Sequence, residues 1–162
     1  MAENAVRVLT AGERAIAASV FGAALDLAPV TLRRAKWFPF QPKNTVMAPD
    51  GHVWFHPKGT SWSEDFSKAG LAARTLLVHE LVHVWQRQRG INLVLRRPPF
   101  ARYRYLPLVP GKKFTAYGLE QQACIVQDAY FLGQGGRVAG APPVGAYAAL
   151  IPFGPSTTLQ IV

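Results

Sequence analysis

The sequence predicts an α+β fold, a small sheet packed against helices, and three observations carry that prediction. Thr10-Ala-Gly-Glu13 has the capping-box form ahead of a helix-periodic apolar run. Two β-rich runs flank Ala48-Pro-Asp-Gly51, whose last three residues are strong turn formers. Two apolar helical stretches follow, separated by a connection broken by prolines.

Taken in order, Ala15 to Leu27 carries Ile16, Val20, Phe21, Ala24 and Leu25 at helical spacing and reads as an opening amphipathic helix. Val30 to Phe38 is rich in strand formers and closes at Pro39 and Pro42, so it reads as a first strand. Asn44–Met47 and His52–Phe55 make the arms of a hairpin. Leu71 to Trp85 is apolar and helix-periodic, with Gly90 placed to stop it. Ile91 to Lys113 contains Pro98, Pro99, Pro107 and Pro110 and reads as a long connection to a helix over about Ala116–Leu132. A short helical turn is expected at Ala146–Leu150, before a hydrophobic end at Leu159–Val162.

A chain of 162 residues, 49% hydrophobic, fits a single domain over 1–162, with its core in about 10–132 and a Gly/Pro-rich segment at 133–162. The lone Cys124 excludes an internal disulfide and a cysteine-based metal site, which fits a reducing compartment. The start, Met-Ala-Glu-Asn-Ala-Val-Arg, lacks the pattern of a secretory signal, so a cytoplasmic location is expected. The longest uncharged run is interrupted by Pro142, Pro143, Pro152 and Pro155, so no integral membrane segment is expected.

The net charge is +9, yet from Phe66 onward only Glu80, Glu120 and Asp128 carry carboxylates. A solvated acidic helix face normally bears more than isolated acids, so these three point to specific work. His79-Glu-Leu-Val-His83 supplies the chemistry. Two histidines four apart leave a helix about 40° apart and can reach one metal ion. Glu80, directly after the first, is placed to take a proton from a metal-bound water. The expected cofactor is zinc, with Glu80 as the catalytic general base.

A catalytic zinc takes three protein ligands, so His79 and His83 need a partner. Glu120 and Asp128 on the second helix are the candidates; Glu120 is favoured for its longer reach and its place near the helix start. Asp128 is then left to orient a histidine or pair with an arginine. Cys124 reads as a small core residue, and His52 with His56 as rim or structural residues. Tyr103, Tyr105 and Tyr117 flank the site and can donate to a developing oxyanion, although most tyrosines pack.

With these residues in view, the chain resembles the small Vgr-related proteins, which share their helix motif with zincin-like domains of contractile injection systems. His79 to Gln86 and Glu120 to Asp128 carry the likeness, and Trp37 to Pro42 and Met47 to Pro57 extend it, so it covers about residues 10–132. The resemblance implies a minimal zincin-like (gluzincin-like) domain, with His79, His83 and Glu120 as ligands, Glu80 as base, and delivery by a secretion system without a signal peptide. Larger gluzincins place an Asp four residues after the ligand Glu; Cys124 stands there in this chain.

The expectation is a zinc metallopeptidase acting on a peptide or protein laid along the hairpin edge. The alternative is a weakly active or non-catalytic zinc module that binds a secretion-apparatus protein and an anionic surface or polymer. Its support is the acid-free stretch from Arg87 to Lys113, with Arg96, Arg97, Arg102 and Arg104 as the contact residues.

Overall fold

The computed structural model describes residues 4–96 and 101–155. In chain order it forms β1 (Val6–Val8), α1 (Ala11–Phe21), β2 (Thr31–Arg33), β3 (Val46–Met47), β4 (Val53–Phe55), α2 (Leu71–Gln88), α3 (Leu93–Arg96), α4 (Leu119–Gly133) and α5 (Val144–Leu150). This is the mixed α+β architecture expected, with a small sheet beside several helices.

The capping box forms as read. The Thr10 side chain accepts from the Glu13 amide at 3.2 Å, and Glu13 returns a bond to the Thr10 amide at 2.8 Å. Helix α1 therefore starts at Ala11, earlier than the expected Ala15, because a cap residue sits immediately before the first helical turn. It also ends earlier than Leu27: Gly22 adopts φ 55°, and a single 3₁₀ turn, Gly22–Ala24, follows.

The sheet order is β1-β2-β4-β3. β1 runs antiparallel to β2 with Arg7 opposite Leu32, β2 runs parallel to β4 with Leu32 opposite Val53, and β3 runs antiparallel to β4 with Met47 opposite Trp54. The hairpin is thus as expected, turned through Gly51 at φ 92°. Asp50 Oδ1 accepts from the His52 amide and the Trp54 indole, which sets the direction of the turn.

Two strand expectations change. β2 is three residues long and does not run to Phe38, because its partner β1 offers only three residues and the chain bends away beyond them. β1 itself is a strand that three residues of sequence are too few to announce. Alternation then sorts the faces. Leu32, Val53 and Phe55 are fully buried, while Arg33 lies over the Trp54 ring on the opposite face at 4.8 Å.

Helix α2 is buried on nearly every side, with Leu77, Val78, Leu81, Val82 and Val84 at zero exposure, as expected of a helix enclosed by other elements. It packs most extensively against α4, which contributes Ala123, Ile125 and Val126. Gly90, at φ 83°, ends α2 with its amide on the Arg87 carbonyl and the Ile91 amide on the Gln86 carbonyl, the paired bonds of a Schellman stop.

The core does not stop at residue 132. Tyr147 of α5 is fully buried, and Phe153 stacks on Phe21 at 4.9 Å and meets the Trp85 and Phe114 rings edge-on. Proline and glycine in this segment break its periodicity without preventing a few large side chains from filling the space between α1, α2 and α4. The terminal Leu159–Val162 lies outside the described residues. Among the described residues no helix is long and apolar enough to cross a membrane.

Candidate metal centre

The crossing of α2 and α4 brings His79, His83 and Glu120 together. Glu120 Oε2 lies 3.3 Å from His79 Nε2 and 3.2 Å from His83 Nε2, and the three ligand atoms all fall within 4.8 Å of one another. An ion held tetrahedrally at about 2.05 Å from its ligands needs donor pairs about 3.3 Å apart, so the two measured separations fit. The donor set, two imidazoles and one carboxylate, is one that a divalent metal accepts while keeping a position open. Asp128 is not part of this cluster.

The cluster forms the floor of a cavity of about 480 Å³. Glu80, only 5% exposed, lines the same cavity, as it must if it is to reach a water there. Apolar walls come from Trp37, Met47, Leu76 and Val94, and Tyr103 stands at one side. β3 is an edge strand and its residues border the opening, so the hairpin edge and the cluster share one space.

The wall that precedes β3 is built by a residue absent from the expected set. Gln41, nearly fully buried, accepts from the Trp37 amide at 2.8 Å and donates to the Thr45 carbonyl at 2.9 Å, closing the 37–45 loop on itself. Gly59 lies against that loop, where any added methyl group would collide with the Lys43 carbonyl.

The supports of the two histidines also differ from expectation. His79 Nδ1 is 2.9 Å from Gln127 Oε1, and His83 Nδ1 is 2.9 Å from Gln86 Oε1. Asp128 touches neither ring. Its Oδ2 accepts the Tyr105 hydroxyl at 2.6 Å and its Oδ1 faces Gln127 Nε2 at 3.3 Å. Asp128 lies about 80° around α4 from Glu120, which turns it toward the 101–117 stretch and away from α2. Sequence offered signals for both glutamines: Gln86 is three residues beyond His83, and Gln127 is seven beyond Glu120, on the same side of its helix.

Neither Tyr105 nor Tyr117 lines the cavity. Tyr105 is buried, and burial, followed by its bonds to Asp128 and Tyr147, raises its pKa far above the ordinary phenol value, so it keeps its proton and donates it in a hydrogen bond to Asp128. The Tyr117 hydroxyl accepts from the Val109 amide at 3.1 Å. Oxyanion support from these two is therefore corrected by the structure; Tyr103 is the tyrosine at the cavity.

The remaining candidates are placed as structural residues. His52 Nδ1 lies 2.9 Å from Thr31 Oγ1, and His56 Nδ1 accepts from the Lys58 amide at 3.0 Å. Burial, then Lys36, Lys43 and Lys58, hold the His56 pKa below its usual value. Cys124 packs against the core, and burial, with Asp128 and Glu120 adding to it, pushes its thiol up to about 12. Arg96 and Arg102 join Arg89 around a second cavity of about 630 Å³ on the other side of Leu119 and Glu120. Arg104 contributes its carbonyl to Gln121 Nε2, and Arg97 lies outside the described residues.

Two comparisons with known proteins return matches. Among solved structures, the effector domain of Pseudomonas aeruginosa VgrG2b aligns with a TM-score of 0.73 at 31% identity, covering 93% of this chain and 86% of that one. Among curated proteins, the type VI secretion system spike protein VgrG2b of Pseudomonas aeruginosa is 40% identical over 137 residues, 80% of this chain. The chain spans 13% of that relative's length. No family model matches the chain.

Proposed function

The chain belongs to the family of the VgrG2b effector domain, and from that premise we propose that it is a secretion-delivered zinc metallopeptidase with a zincin-like site. One observation carries the proposal: two imidazole nitrogens and a carboxylate oxygen converge at 3.2–3.3 Å on the floor of a cavity that Glu80 also lines. The name of the relative supplies the setting. VgrG2b is a type VI secretion spike protein with an effector domain, and the same delivery is proposed for this chain.

In this reading His79, His83 and Glu120 hold the ion. Zinc bound there would polarise the scissile carbonyl and make water a better nucleophile near neutral pH. The chain's own residues do the rest. Glu80 accepts the proton of the attacking water and passes it to the leaving amine. The open edge of β3 binds an extended peptide through main-chain hydrogen bonds, which brings a carbonyl over the cavity floor. The enclosing apolar walls exclude bulk water and strengthen the electrostatics of that step.

Elemental analysis of the purified protein should find about one zinc per chain. Glu80→Gln should keep that zinc while peptide hydrolysis, followed on a broad peptide library, falls about 10²–10⁴-fold. Unchanged turnover removes Glu80 from its role. Zinc without turnover in the wild type favours the alternative, a zinc-holding accessory module whose Arg89, Arg96 and Arg102 cavity receives an anionic partner.

A further inference from the structure

We propose that Gln127 and Gln86 are positioning residues that turn the Nε2 lone pairs of His79 and His83 toward Glu120, each through a neutral amide locked in place from behind. The inference rests on the metal-binding reading above and goes beyond it. Ligand histidines commonly give their second N–H to a carboxylate, a backbone carbonyl or water. Here the position that would carry a supporting Asp in larger gluzincins is Cys124, and two amides stand where acceptors are needed.

An amide can present either end to a ring, so the question is which end is forced. Gln86 Nε2 donates to the Leu119 carbonyl at 3.0 Å and to Gln122 Oε1 at 3.0 Å. Gln122 has its own nitrogen on the Tyr117 carbonyl at 2.9 Å, so its oxygen is the end that faces Gln86. Gln86 is fully buried and its nitrogen already has two acceptors. Its oxygen therefore faces His83, and His83 Nδ1 must carry the hydrogen.

The second chain runs the same way. Tyr105 gives its only proton to Asp128, Tyr147 lies 2.7 Å behind it as donor to Tyr105, and Asp128 turns its other oxygen to Gln127 Nε2. That leaves Gln127 Oε1 for His79 Nδ1. Both rings thus reach the shared space with the same nitrogen, Nε2, and both are prevented from rotating about χ2 by a bond behind them. Asp128 acts on His79 only through Gln127.

The test compares zinc affinity, by competition with a chelator, in the wild-type protein, Gln127→Leu and the double variant Gln127→Glu with Asp128→Asn. Gln127 is only half-buried, so both variants should fold, and thermal unfolding of the metal-free proteins checks this. Gln127→Leu should bind zinc about 10–100-fold more weakly and alter the visible spectrum of the cobalt-loaded protein. Gln127→Glu with Asp128→Asn, which keeps an acceptor toward His79 and restores a donor behind it, should hold affinity within a few-fold of wild type. Leucine at wild-type affinity, or the double variant falling as far as leucine, overturns the inference while leaving the metal site standing. A wild-type protein that takes up no zinc overturns the metal site and this inference together.

Discussion

Two buried carboxylates, Glu13 and Glu120, are 0% and 4% exposed, yet their surroundings assign them different work. Glu13 takes both terminal nitrogens of Arg7 at 2.8 Å, the Thr10 amide at 2.8 Å and the Phe66 amide at 2.8 Å. A permanent cation and two fixed amides fill its acceptor sites, so it ties β1, α1 and the turn before α2 into one unit. Glu120 turns one oxygen to two imidazoles that are themselves held by glutamines. Imidazole, unlike guanidinium, can release its proton and use the freed lone pair for a metal. A buried acid satisfied by arginine is a staple; one facing two oriented histidines is a place for a cation.

The largest effect expected from this contrast is at Glu120. Glu120→Ala should cut zinc affinity on the order of a thousandfold, more than the 10–100-fold of an outer partner, with the metal-free protein still folded. Chelator competition measures the first half and circular dichroism the second. Zinc affinity close to wild type would end the distinction between the two acids.

Glu13→Gln should do the reverse. Removing the charge leaves Arg7, 18% exposed at its side chain, without its counter-ion, and breaking a buried pair of this kind costs about 3 kcal/mol. Denaturant unfolding should register that loss while zinc stoichiometry stays unchanged. A variant that kept its stability would make Glu13 a bystander.

The smallest effect is an acid limb. Asp65 accepts from Ser67 and Thr10, and these bonds, with Lys68, lower its pKa from 3.8 to about 2. Glu13 is raised by burial but lowered further by Arg7 and the Phe66 and Thr10 amides, for a net depression from 4.5. A carboxyl whose folded pKa is depressed stabilises the fold above its unfolded value and loses that contribution as pH falls through the folded one. The urea midpoint should therefore hold above about pH 5 and fall between about pH 4 and pH 2, and Asp65→Asn should make that fall shallower. A midpoint that fell between pH 7 and pH 5 instead would point to groups other than these two acids.

The acids differ in how far sequence could read them. The Thr10–Glu13 capping box is a local pattern, and so are the Pro49-Asp50-Gly51 turn, the i, i+4 histidines and the Gly90 stop. Each depends on atoms within a few residues, which is why their identities were legible and their boundaries less so. The scarcity of acids after Phe66 also singled out Glu80, Glu120 and Asp128 without any fold. Which carboxylate meets the histidines is a matter of how α4 crosses α2. About 80° around α4, and about two turns along it, send Glu120 to the rings and Asp128 to Tyr105.

Sequence alone thus determined the α+β class, the metal-capable histidine pair and the carboxylate beside it, because helix and turn geometry is periodic and short-range. Tertiary structure alone decided that Arg7 and Phe66 complete Glu13, that Gln41 closes the cavity wall, and that Gln86 and Gln127 stand behind the rings. Glu13 with Phe66 and His79 with Gln127 are far apart in the chain, and even where spacing allows a contact, as for His83 and Gln86, it does not fix which end of the side chain makes it. Glutamine carries no charge and no periodic signature, so only packing shows which of its two ends is left to face a histidine.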